Sequence, residues 1–241
     1  PSLDIDAVKT GQQSASGLGA KWSARFQKSG PDLFGGKGGG SGGMGGSVFV
    51  STRNNTTHAI IEDGASVFSG ADGGFNMKAE EAMFDVNLSQ SGASGGDYVV
   101  AGSVAVTNLV SDTLVQLGST ARVTGRDARL YAGDLTTNIN WVGGIASGES
   151  LGVGFSLAVN NIERKTRAVI GDPGVIGPLP GDPAAGSFID VSGKVDVLAR
   201  VDGDLWVFSI AGAAAASITG SFAVAGVAAG AFNTIDSETL A

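Results

Sequence analysis

The groups able to do chemistry are few and scattered along the chain. Gly148-Glu149-Ser150-Leu151-Gly152 has the G-x-S-x-G spacing of a nucleophile elbow. An elbow needs a strand, a strained turn and then a helix, with a histidine base and a carboxylate in reach. Here Val153 to Asn160 alternates like a strand, so the spacing reads as an inter-strand turn equivalent to Ser94-Gly95-Gly96-Asp97. The single histidine, His58, falls where other copies of its segment carry Leu114 and Arg167. It reads as solvent-facing, neither metal ligand nor base.

Carboxylates come in pairs, as acid–base work on a glycosidic bond would require. They are Glu62-Asp63, Glu80-Glu81 and Asp202 with Asp204. Acids adjacent on a strand point to opposite faces, and no pair recurs from copy to copy, so the pairs read as solvated charge. Asp172, Asp182, Asp202 and Asp204 offer oxygen ligands for an adventitious calcium ion. The G-G-x-G-x-D nonapeptide of calcium-binding repeats is absent. Gly35–Gly46 holds nine glycines in twelve residues, but Lys37 is followed by Gly38 and not by Ser or Thr. A phosphate cradle fails on that detail, and a flexible leading segment or linker over 1–46 is expected. No catalytic, cofactor or metal residue is assigned, and no enzymatic activity is expected.

The elements that carry these groups follow from composition and repetition. The 241 residues include 40 glycines, six prolines and no cysteine; 42% are apolar and 16% charged, with a net charge of −8. That is neither the disordered nor the collagen composition. The acidic balance disfavours nucleic acid and anionic lipid as partners. With no cysteine there are no disulfides or thiolate metal sites. The chain starts at Pro1 without a secretory leader, so a longer parent polypeptide is expected. Leu205 to Ile235 carries no charge and imitates a membrane span, but its Gly, Ala, Ser and Thr content favours strands.

Three stretches are the same stretch. Ser47-Val-Phe-Val, Ser103-Val-Ala-Val and Ser156-Leu-Ala-Val begin alike, and ten residues on each has a threonine: Thr57, Thr113 and Thr166. A fourth copy is read from Ser221-Phe-Ala-Val, which makes the last interval the longest. Within each copy, Val67-Phe-Ser-Gly70, Val123-Thr-Gly-Arg126 and Val191-Ser-Gly-Lys194 mark glycine turns. Apolar alternation at period two predicts strands, and only Lys78–Phe84 looks briefly helical. Gly171–Gly186 holds four of the six prolines and reads as a loop inserted into the third unit, which accounts for the long interval. The expected fold is all-β: a parallel β-solenoid of units of about 53 residues, each making about two coils. The expected units are 47–102, 103–155, 156–220 with the loop 171–186, and a truncated copy 221–241.

Gly152-Val-Gly-Phe-Ser-Leu-Ala-Val-Asn-Asn-Ile162, followed by Thr166-Arg-Ala-Val-Ile-Gly171, resembles the leukotoxin-type filamentous adhesins. These are very large secreted surface proteins of Gram-negative bacteria. Gly102–Gly118 and the copy from Gly220 carry weaker versions, so the resemblance spans residues 47–241. The Gly35–Gly46 run and the proline-rich loop depart from it. It implies export to the cell surface, a filamentous solenoid, and adhesion or matrix building, with no catalytic motif to transfer. The expected partners are a host or bacterial surface component, a matrix polysaccharide, or further copies in a fibre, without membrane insertion of this segment. The competing expectation is a β-helical polysaccharide-degrading enzyme.

Overall fold

Side chains that alternate in polarity at period two cannot sit still on a helix, and in the computed structural model they make strands. The structure describes residues 3–14 as backbone, together with 42–171, 188–216 and 222–241. The first coil holds β1 (Leu3–Ser14), β2 (Gly42–Ile61) and β3 (Ser66–Phe68). The second holds β4 (Phe75–Ser94), β5 (Tyr98–Leu117) and β6 (Arg122–Gly125). The third holds β7 (Ala128–Gly148), β8 (Leu151–Ile170) and β9 (Phe188–Val191). β10 (Val195–Ala215) and β11 (Val224–Leu240) belong to a fourth. Equivalent strands pair in parallel: β1-β4-β7-β10 form sheet A, β2-β5-β8-β11 sheet B, and β3-β6-β9 the short sheet C. The fold is therefore the expected parallel β-solenoid.

One unit makes one coil, not two. The predicted short strands fuse into long ones, such as β2, β4, β5 and β8, and two long strands, one short strand and three corners fill the repeat. The register confirms the ladders seen in sequence. Ser47 pairs with Ser103 and Ser103 with Ser156, and the threonines Thr57, Thr113 and Thr166 stack likewise. Two readings shift. Ala229, not Ser221, lies opposite Ser156, so the fourth copy is displaced. Ile189, not Val191, lies opposite Val123. Small and β-branched residues resemble one another, and a slip among them leaves the pattern looking intact. Lys78–Phe84 is part of β4, and the charge-free run supplies the second half of β10 and most of β11.

The expected boundary at residue 46 also moves. Leu3–Ser14 pairs with β4 along its length, and Gly42–Gly46 belong to β2. The rest of the glycine run lies outside the described residues. So does most of the proline-rich loop; β8 ends at Ile170 and β9 begins at Phe188, a corner that takes four residues in the second coil.

The cross-section is a long thin wedge. A strand the length of β2 spans about 66 Å, while four stacked coils rise only about 19 Å. The chain is thus a slab, longer across its strands than along its stacking axis. Sheet C closes the broad end. There Phe75, Met77, Leu117, Val123 and Leu130 are essentially fully buried, with Ala79, Ala128 and Ala132 between them. Each large side chain contributes about 1.5–3 kcal/mol on burial. At the opposite tip, sheets A and B close to backbone contact. A Cβ on Gly45 would strike the Gly92 carbonyl oxygen, and one on Gly154 would strike that of Gly212. Gly45, expected in a linker, and Gly154 are therefore strand residues, chosen because nothing larger fits.

This geometry sets a test. Gly154→Val pries the tip open and costs about 1–3 kcal/mol in urea unfolding. Gly226→Ala, on the outer face beside Val153, changes stability by less than about 1 kcal/mol. Equal losses at the two sites would contradict the wedge.

Candidate functional surface

Between the apolar broad end and the small-residue tip, the interior turns polar. Arg53 Nη2 donates to Asp85 Oδ1 at 2.8 Å and Nε to Oδ2 at 3.3 Å, a two-point contact joining β2 to β4. Asp85 Oδ2 also accepts from Asn87 Nδ2 and Asn138 Nδ2, each at 3.1 Å. One coil further, Arg164 Nη2 donates to Asp134 Oδ1 at 2.7 Å and to the Asp202 carbonyl at 2.6 Å. Asp85 and Asp134 are almost completely buried. Such pairs are strongly destabilising to break, because each leaves an uncompensated charge.

Glu81 lies inside the same belt, stacked on Asp134 in register. Ser111 Oγ stands 2.6 Å from Asp134 Oδ2 and 3.1 Å from Glu81 Oε2, and its one proton goes to the nearer oxygen. A file of amides continues the belt. Asn87 donates to Asn140 at 2.6 Å, Asn140 to Asn160, and Asn160 to Asn233 at 2.7 Å. It crosses from sheet A to sheet B and links the second, third and fourth coils. Hydroxyls do the same nearer the tip: Ser47 meets Ser89 and Ser103, and Ser156 meets Ser209.

The predicted chemical groups are not brought together. Gly148–Gly152 is the corner between β7 and β8, with Glu149 N and Ser150 N bonded to the Gly96 and Asp97 carbonyls of the corner below. The inter-strand turn is thus observed. His58 faces outward with Nε2 3.4 Å from Asp112 Oδ2. Glu80 and Glu81 point to opposite faces as expected, Glu80 outward to Lys78 Nζ at 2.6 Å and Glu81 inward. Glu62 and Asp63 sit at the corner after β2, beside a shallow groove of about 270 Å³ that also takes in Gln116 and Ser119. There Asp63 Oδ1 accepts from Ser119 N at 2.6 Å. Asp202 is exposed, and its carboxyl is held below the ordinary value by the Arg200 side chain and the Gly203 N–H. Glu163 beside Lys165 holds that amine above its ordinary value. Asp172 and Asp182 lie outside the described residues. Among the described residues no three acids or histidines converge on a metal-sized space.

Sequence reasoning missed the interior acids. The expectation that these pairs are solvated charge is corrected for Glu81, which is buried and stacks on Asp134 of the next coil, while the pair itself does not recur, since Gly133 lies opposite Glu80. The signal was present: Glu81 and Asp85 share parity with Met77 and Met83, hence the inward face. Enclosed between two sheets, these carboxylates fasten the slab together and cannot meet a macromolecular substrate.

What the molecule offers outward is divided into two zones. On the half of each long sheet nearer sheet C, charges alternate: Lys78, Glu80, Arg129 and Arg200 on one face, and Asp112, Glu163, Lys165 and Arg167 on the other. On the tip half, outward positions of β4, β7 and β10 run Phe84, Val86, Leu88; Ile139, Trp141, Ile145; Trp206, Phe208, Ile210. Those of β2, β5, β8 and β11 include Val48, Val50, Val104, Val106, Phe155, Leu157, Val159 and Phe232. Among the described residues, the outward strand positions of that half carry one charge, Asp204, which stands in register with Phe84 and Thr137 at its border with the charged half. Comparison with protein-family models, with curated proteins and with solved structures finds no match.

Two substitutions test the belt. Asp85→Leu strands Arg53 and costs about 3–5 kcal/mol. Thr113 Oγ1 is fully buried and has no hydrogen-bond partner among the described residues, as is true of Thr57 and Thr166. Replacing an unpaired hydroxyl with a methyl removes a desolvation penalty, so Thr113→Val gains about 1 kcal/mol. Urea midpoints measure both. A stability loss in Thr113→Val would contradict the stated environment of that column.

Proposed function

We propose that this chain is a non-enzymatic structural and adhesive segment of an extracellular bacterial surface assembly. The supporting observation is the two-zone exterior on a braced slab. A soluble monomer rarely exposes contiguous apolar patches beyond a few hundred Å², and larger ones mark interaction surfaces. Here two such zones lie back to back on sheets whose spacing is fixed by buried ion pairs and amide files. A surface that is flat, stiff and repeated from coil to coil suits many weak, equivalent contacts that add through multivalency. Its partners are a surface component, a matrix polysaccharide or further copies. The resemblance of residues 152–171 to filamentous adhesins points the same way, and to display outside the cell.

In this reading the buried carboxylates hold β4 and β7 against β2, β5 and β8, and the exterior does the binding. The test is incubation of the purified chain with bacterial surfaces and matrix polysaccharides, following both retention and glycan cleavage. Retention without new sugar ends is expected, with retention weakened by Phe155→Asp or Trp141→Asp. Steady release of sugar fragments would overturn the reading in favour of a polysaccharide-degrading β-helix.

A further inference from the structure

We propose that the outer face of sheet A is a self-association surface, covered by the same face of a second copy of this chain. The proposal deepens the scaffold reading and rests on it.

Sheet A concentrates the aromatic residues. Leu88, Trp141 and Phe208 form one column across β4, β7 and β10, with the Trp141 and Phe208 ring centroids 5.4 Å apart. Trp206 occupies the neighbouring column beside Ile139. Leu88, Trp141, Ile145, Trp206, Phe208 and Ile210 are each 40–56% exposed although they are large and apolar. At the areas such side chains carry, these six alone expose on the order of 500 Å². With Phe84, Val86 and Ile139 beside them, the zone approaches the roughly 800 Å² that each partner gives to a stable interface. Trp and aromatic anchors are also the residues that dominate interface energies.

The lattice of the face argues for a second copy over an unrelated partner. Side chains stand in rows about 4.8 Å apart along the stack and about 7 Å apart along each strand. A surface of the same periods interdigitates with it row by row, as the inner faces of sandwiched sheets do at about 10 Å separation. Another β-sheet has those periods, and a second copy supplies one with the same apolar rows and the same extent. The charge pattern sets how the copies overlap. Tip half laid antiparallel on tip half covers both apolar zones. It leaves the Lys78, Glu80, Arg200 and Asp202 ends of both slabs in water. A full overlap would set one copy's charges on the other's tryptophans, at a desolvation cost.

The experiment is sedimentation of the chain across a concentration series, with Trp206→Asp/Phe208→Asp as the test variant and Phe155→Asp on sheet B as the comparison. All the substituted side chains face outward, and circular dichroism checks that each variant keeps its β content. The wild type is expected to dimerise, the double variant to weaken the dimer by roughly thirtyfold or more, and Phe155→Asp to leave it unchanged. A wild type that stays monomeric at every concentration overturns the proposal. So does a dimer lost only in Phe155→Asp, or a polymer untouched by the double variant, which would place the contact on the open edges of β10 and β11. A monomer that still adheres without cleaving glycan would sink the dimer while leaving the scaffold reading intact.

Discussion

Each interior side chain stands on the side chain one coil away, and this in-register stacking is the constraint on which everything else depends. It turns sequence into columns. A column of alanine, such as Ala79 on Ala132, packs without difficulty. A column of asparagine satisfies itself by passing amide hydrogen bonds along the stack. A column of acids does not: Glu81 on Asp134 stacks two carboxyl groups about 4.8 Å apart, and such a column needs donors that enter from the side. Arg164 does so from sheet B for Asp134, and Arg53 does so for Asp85 two positions further along the belt. The polar belt is thus a consequence of stacking, and its cross-sheet bonds fix the spacing of the two long sheets.

The same constraint explains which parts of the fold could be read directly from sequence. The serine and threonine ladders were legible because each pairs a distinctive residue with itself, at 47, 103 and 156 and at 57, 113 and 166. The fourth copy was not, since Ser221-Phe-Ala-Val imitates the motif while the ladder joins Ser156 to Ala229. The true register was marked by Asn233 on Asn160, Ile235 on Ile162 and Thr239 on Thr166, which carries the threonine ladder into the fourth coil, but the opening of the copy lay among interchangeable small residues. The number of coils per unit was misread for a physical reason. Glycine was read as a turn former or as linker, whereas Gly45, Gly144, Gly152 and Gly154 lie within strands, where two backbones meet. Close approach between distant segments is a tertiary property, and a single residue does not announce it.

The functional surface was harder to see. Attention to histidine, serine and paired acids led to corners and outward charges that do no work together, with Glu81 alone among them facing the interior. The division of the exterior emerges once β4, β7 and β10 are laid side by side. Leu88, Trp141 and Phe208 are far apart along the chain and contiguous in space. Outward charge follows the same division, concentrated near sheet C and at the corners, with Asp204 at the border between the halves. An amphipathic slab of this kind has one half suited to water and one half suited to a partner, and its interior bracing keeps both halves flat.

The register itself can be measured most directly by cross-linking, because the chain has no cysteine of its own. Val104 and Leu157 are register partners on the outer face of sheet B, and neighbouring parallel strands lie within disulfide reach. Val104→Cys with Leu157→Cys should oxidise to an intramolecular disulfide while β content is retained. Val104→Cys with Tyr131→Cys, about half a unit apart in sequence and on the other long sheet, should not. A disulfide in the second pair, or none in the first, would contradict a slab in which each repeat unit makes a single coil.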